Sequence, residues 1–239
     1  MRNLLLLLIF LVSYSSVSQV NLLKKNAKKA KELLYKKQDI LSEKDIVIGL
    51  KEALKVSSTN SITLASKKGG FANNLSLRIG FPKNLSTLVD ALHKLGMSNH
   101  IERLELQMNV AAEQSSSEVL SIFLNIIDSL TFTEARNILQ GSENEATRFL
   151  RSQSYENLFY RISPIVKSKM NELSIYEIWN VLYGRYNSLP FSENQDFDLE
   201  NYIVEKTIDG IFILISEQER QIRKDPSKRT NDILKRVFN

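Results

Sequence analysis

From Asp45 onward, apolar residues recur every three or four positions with polar residues between them, a spacing that predicts a succession of amphipathic helices. Ser42-Glu43-Lys44-Asp45 is a capping start, and Ile46, Leu50, Ala53 and Leu54 form the inward stripe of the helix it opens. A second helix is predicted from about Thr59 to Ser66, stopped at Gly69-Gly70, where a left-handed cap suits glycine. Phe71 to Pro82 (FANNLSLRIGFP) alternates only in part and reads as an extended crossing segment. Lys83 to Leu95 is helical, with Leu85, Leu88, Leu92 and Leu95 on one face and Gly96 at its end. Ser98 opens a helix to about Glu113, and another passes through Ile122, Ile126 and Leu130.

Thr131 caps a short helix from Glu134 to Leu139, which Gly141 stops. The next begins at Ser142–Glu145. From Tyr155 to Leu173 the positions Leu158, Phe159, Ile162, Ile165, Val166 and Met170 are helical, and Pro164 predicts a kink or break. Ile175 to Tyr186 carries Trp179 and Leu182 and ends at Leu189-Pro190-Phe191. Leu199 to about Lys224 reads as the longest helix. Its run Ile211–Ile215 is apolar on every side, which places it at the centre of a bundle. Asp225-Pro226 breaks it, and a last helix spans Lys228 to Phe238.

The first residues follow another pattern. A singly basic start, Met1-Arg2-Asn3, precedes nine apolar residues, Leu4 to Val12. Ser13 to Ser18 follow, with Ser16 and Ser18 placed for cleavage before Gln19. This is the layout of a secretory signal peptide and is too short to span a bilayer. The expectation is an exported protein, periplasmic or secreted, soluble after cleavage. Next, Leu23, Ala27, Ala30 and Leu34 fall at helical spacing among lysines, in a basic segment assigned to residues 19–39. Lys24, Lys25, Lys28, Lys29 and Lys31 could hold an anionic membrane surface by weak electrostatic contact. The other reading is a solvated helix face, and the absence of Trp or Phe from the stripe argues against insertion.

Composition sharpens the class. Eight Gly and four Pro in 239 residues are too few for a turn-rich β fold. The chain has no Cys, which excludes disulfides, a lipid-modified cysteine and a thiol nucleophile. The net charge of +5 is uneven. Residues 22–37 hold seven lysines against Glu32, whereas residues 38–239 hold 24 basic and 26 acidic residues, a net −2. A nucleic-acid-binding domain spreads basic residues over a folded face, and that distribution is missing here.

Signals for chemistry are sparse. His93 and His100 are the only histidines, without a nucleophile-elbow motif and too few for zinc. Asp196, Asp198 and Glu200 alternate like calcium ligands, but no glycine turn accompanies them, and helix capping explains them better. Lys67-Lys68-Gly69-Gly70 lacks the spacing of a phosphate loop. No cofactor or metal is implied. Glu113, Asp209 and Glu217 could supply a carboxylate pair if the fold set them across a cleft.

Several short motifs recur in order: GLKEAL at 49–54, glycine-phenylalanine, RI and proline between Gly70 and Pro82, MNVAAE at 108–113, ILQG at 138–141 followed by Ala146-Thr147, and RYNSLPF at 185–191. The end carries DGIF at 209–212, EQERQIRKDPSKRT at 217–230 and LKRVF at 234–238. Together they resemble the bacterial domain-of-unknown-function family 4197 over residues 40–239. The resemblance implies a helical architecture and agrees with export, and it brings no established activity. The arginines within it, Arg78, Arg103, Arg136, Arg148, Arg185, Arg223 and Arg229, can hold carboxylates or phosphates, or serve internal ion pairs.

The expectation is an all-α, single-domain bundle of about ten helices around the long C-terminal helix. Arg78, Tyr183, Arg185, Tyr186 and Arg223 are its candidate ligand-binding residues. The function read from this is non-enzymatic binding of a partner or an apolar or anionic ligand in the cell envelope. The alternative is a carboxylate hydrolase acting on an envelope substrate.

Overall fold

The computed structural model describes residues 25–29, 42–190, 192 and 196–238. The signal-peptide pattern, Lys24, Lys31 and Phe191 lie outside the described residues. The chain divides into Met1–Lys44 and Asp45–Asn239. In the first unit residues 25–29 are helical and exposed, Lys25, Lys28 and Lys29 among them.

The second unit is all-α, with no strand among the described residues. We number its helices α1 (Glu43–Ser66, which begins two residues before the unit), α2 (Ser86–Lys94), α3 (Ser98–Ser115), α4 (Leu120–Ser129), α5 (Phe132–Gln140), α6 (Glu145–Glu172), α7 (Ile175–Asn187), α8 (Leu199–Lys224) and α9 (Asp232–Val237). Helices α6 and α8 share the most extensive contact, and α3 packs on α6, α7 and α8. The main core cluster runs from Leu50 and Leu54 of α1 through Met108, Leu150, Ile162, Ile203 and Ile211, and a smaller one joins Ala53, Ile222 and Leu234.

Local chemistry sets several of the ends. Thr131 and Glu134 form a complete capping box at α5, Asp198 caps α8, and Asn231 caps α9. Gly69 and Gly96 take positive φ of 79° and 73°, which lets the chain reverse after α1 and α2.

Five elements differ from the pattern reading. Residues 43–66 form one helix, not two, because Ser57, Ser58, Ser61 and Ile62 bury a continuous stripe that outweighs the weak propensity of the serine-threonine run. Helix α6, 28 residues long, exceeds the 26 of α8 and continues through Pro164. Proline removes the bond to the carbonyl of Tyr160, but Tyr160 is exposed, so water can serve that carbonyl while Ile162 and Val166 anchor the flanking turns. Residues 71–77 are mainly turns, where the pattern predicts an extended crossing segment over 71–82; apart from Asn74, only 78–82 lie outside helix and turn. The last helix starts at Asp232, because Pro226–Lys228 form a 3-10 turn and the buried Arg229 guanidinium donates to the Ile222 and Arg223 carbonyls at the end of α8. Finally, α8 is not surrounded on every side: Ile211, Phe212, Leu214 and Ile215 are buried, while Ile213 is 38% exposed.

Candidate functional site

The turns at 67–82 are built by two side chains of α3. Glu113 is buried, and its carboxylate accepts the backbone N–H groups of Gly69 (3.1 Å), Phe71 (3.0 Å) and Ala72 (3.0 Å). One turn earlier, Asn109 accepts the Ile79 N–H at 2.9 Å and donates to the Ile79 carbonyl at 2.8 Å. A loop with many polar backbone groups can run over the core only when they are satisfied in this way. Phe71 then fits against Gly210 of α8. A Cβ built on that glycine would lie 2.5 Å from the ring. The MNVAAE and DGIF motifs therefore hold one loop from opposite sides.

A second clamp joins α5, α6 and α8. Glu219, buried, accepts the N–H groups of Ala146 and Thr147 and the Thr147 hydroxyl at 3.0, 2.8 and 2.7 Å. These are free donors of the first turn of α6, so the carboxylate caps that helix from a distance. Arg223 pairs with Glu219 at 2.9 Å and donates to the Ile138 carbonyl at 2.9 Å, closing the end of α5.

Between these clamps lies an open groove of about 720 Å³. Residues 76–81 of the pinned loop form one wall, residues 144–151 at the start of α6 form the other, and α8 from Tyr202 to Arg220 is the floor. Five cations line it: Arg78, Arg148, Arg151, Lys206 and Arg220. Asp209 and Glu217 are its two carboxylates, so the lining carries a net +3. Ion pairs steady the arginines. Arg78 meets Glu105 at 3.0 Å, Arg148 meets Glu145 at 3.4 Å, Arg151 meets Asp209 at 2.6 Å, and Arg220 meets Glu143 at 4.0 Å. All four remain substantially exposed, so further N–H donors face water. Arg151 is stacked between the rings of Tyr155 (5.1 Å) and Phe212 (5.2 Å), which fixes its plane. Lys206 has no ion pair among the described residues and lies 5.7 Å from the centre of the Tyr202 ring. Burial pushes the Tyr202 hydroxyl above its ordinary value, with the Glu105 charge adding to it, and that hydroxyl donates to the Gly80 carbonyl at 2.7 Å.

The five residues named from the sequence are not brought together. Arg78 lines the groove. Arg223 is enclosed in the Glu219 clamp. Tyr186 is buried in the core, and Arg185 is exposed in the last turn of α7. Tyr183 stacks on Trp179 at 5.5 Å, in an aromatic group that includes Phe81, Phe197 and Tyr202. Of the other arginines, Arg148 joins the groove, Arg229 closes α8, and Arg103 and Arg136 are exposed. Arg151, Lys206 and Arg220 were missed. The available signal was a polar stripe on α8 at Lys206, Asp209, Ser216, Glu217 and Arg220, at helical spacing and opposite the apolar one.

The carboxylates weighed for hydrolysis are also separated. Glu113 holds the loop away from the groove lining. Asp209 and Glu217 stand eight residues apart on one helix, about 12 Å of rise, against roughly 5–9.5 Å in glycosidase pairs. Asp198 Oδ1 caps α8 through the Asn201 N–H at 2.9 Å, and Glu200 accepts from Tyr176 at 2.8 Å. Burial of the ring, and then that carboxylate, push the Tyr176 hydroxyl well above its ordinary value. His93 bonds Ser98 at 2.8 Å across the α2–α3 corner, and His100 is exposed. Among the described residues no cluster of His, Cys, Asp or Glu could hold a metal ion, and no helix is long and apolar enough to cross a membrane.

Residues 40–239 match the sequence profile described as Protein of unknown function (DUF4197), and the chain belongs to that family. No curated protein and no solved structure matches it significantly.

Proposed function

We propose that this member of the DUF4197 family is an exported binding protein whose groove holds an anionic ligand in the cell envelope. The observation that carries this reading is charge segregation. Residues 38–239 have a net charge of −2, yet the groove lining holds five cations against two carboxylates; Glu105, Glu145 and Glu143 pair with three of these cations from outside the lining, and Lys206 has no ion pair among the described residues. A cleft with an excess of one sign of charge between low-dielectric walls raises the local concentration of the opposite sign. Half-exposed guanidinium groups offer two-point contact to phosphate or carboxylate oxygens, and Lys206 adds an unpaired point charge. Export is supported by the leader pattern, Arg2 followed by Leu4–Val12 and Ser13–Ser18.

The test is calorimetric titration of the protein at low salt with tripolyphosphate and with citrate. Saturable binding is expected, weakened at least tenfold in the Lys206→Glu/Arg220→Glu double variant, whose thermal melt should match the parent. Binding of neither probe, or equal binding by parent and variant, would remove the groove as the site. The lysines near the N-terminus are unchanged in both proteins, so their contribution cancels in the comparison.

A further inference from the structure

Leu75 is 94% exposed, the most exposed of the large apolar residues among those described. A single exposed leucine needs no explanation by itself. This one is held out on a braced turn. Glu113 fixes the backbone at Gly69, Phe71 and Ala72, and the Asn74 carbonyl accepts the N–H groups of Leu77 and Arg78. Phe71 and Leu77, on either side, are buried. The tip is therefore presented outward by the same clamp that shapes the groove wall.

Its surroundings are cationic on both sides. A trough of about 560 Å³ runs beside Leu75, lined by Leu64 and Leu214, by Lys67 and Lys68, and by no carboxylate among the described residues. Both lysines are exposed, and neither has an ion pair among the described residues. Beyond Ser76 the same loop becomes the wall of the groove, where Ile213 is exposed beside the arginines.

We infer that this loop docks the domain on an anionic lipid bilayer, with Leu75 entering the headgroup boundary, Lys67 and Lys68 meeting lipid phosphates, and the groove taking a further headgroup. The inference rests on the proposed function in one respect, that the groove anion is here a lipid phosphate. A protein partner would need a surface of roughly 800 Å² on each side with an apolar centre, and Leu75 beside two lysines, with Leu64 and Ile213 only partly exposed nearby, does not provide it. A bilayer needs only shallow insertion and opposite charge. Each cation near an anionic leaflet raises partitioning roughly fivefold.

Because the chain has no cysteine, Leu75→Cys accepts a single environment-sensitive nitrobenzoxadiazole label. Tyr160→Cys, on an 80% exposed side chain of α6, is the control. With vesicles of phosphatidylcholine and phosphatidylglycerol, the label at 75 should brighten and shift to the blue, and the label at 160 should not. Vesicles of phosphatidylcholine alone should change neither. In sedimentation, Leu75→Ser should lower partitioning by about tenfold and Lys67→Glu/Lys68→Glu by at least about 25-fold, with melts unchanged because these side chains are exposed. A label at 75 that stays water-like while the protein sediments with anionic vesicles would overturn the inference and assign binding to the N-terminal lysines. Failure to sediment at all would also overturn it. Tripolyphosphate binding that depends on Lys206 and Arg220 would leave the groove reading standing in either case.

Discussion

Arg220 and Arg223 stand three residues apart on α8 and end in opposite environments. Arg223 is enclosed with Glu219, their side chains 13% and 7% exposed, and closes α5 while Glu219 caps α6. Arg220 is 51% exposed in the groove, with Glu143 at 4.0 Å. Residue type does not separate them. At i and i+3 they are only about 60° apart around α8, so what separates them is what the neighbouring elements bring to each: the end of α5 encloses Arg223, and Arg220 is left at the groove. The buried side of α8 consumes its charges in holding the fold, and the groove side leaves them available to a ligand.

The widest expected contrast lies between Ile211 and Ile213, 1% and 38% exposed. Ile211→Asp places an unpaired charge in the core at a cost of several kcal/mol, and loss of the folded circular dichroism signal is expected. Ile213→Asp should keep the fold while weakening tripolyphosphate binding, because it adds a negative charge to the groove. Equal melts for the two variants would mean that α8 has no buried side.

Next comes the clamp. Glu219→Ala leaves two helix N–H groups, a hydroxyl and the Arg223 guanidinium without their acceptor, and should cost about 3–5 kcal/mol in denaturant unfolding. Arg220→Ala should change stability by less than about 0.5 kcal/mol. If the two are comparable, the division between clamp and groove is wrong.

Gly210→Ala probes the contact between loop and floor. Its Cβ would fall 2.5 Å from the Phe71 ring, and the strain should cost about 1–3 kcal/mol. Faster amide exchange at residues 69–79 would locate the damage in the pinned loop. Uniform change across α6 and α8 would show that the glycine serves the helix pair.

The smallest effect concerns acid. Bonds from the Thr131 hydroxyl and N–H hold Glu134 below its ordinary 4.5, and the Ser142 hydroxyl does the same for Glu145. A depressed folded pKa contributes stability that is present above 4.5 and lost as pH falls through the lower folded value. Melting temperature should decline gradually below about pH 4.5. Thr131→Ala should remove part of that dependence and cost about 1 kcal/mol at neutral pH.

The sequence by itself determined the class and most of the punctuation. Scarce glycine and proline, apolar residues at helical spacing, and caps at Thr131, Asp198 and Gly69 are local properties, so they could be read along the chain. The burial of α8 was legible from the run Ile211–Ile215, but not its one-sidedness, which the 38% exposure of Ile213 shows. Contacts between distant positions were decided only by the tertiary structure. Glu113 and Glu219 reach donors 41 to 73 residues away, and nothing near either one marks it as a clamp. Continuity through the serine run and through Pro164 was likewise decided by buried flanks that outweigh local preference. The groove exists only where a loop, a helix start and a helix floor meet, so its five cations are scattered from Arg78 to Arg220 in the chain. Helical period says which side chains share a face. Only packing says what that face meets.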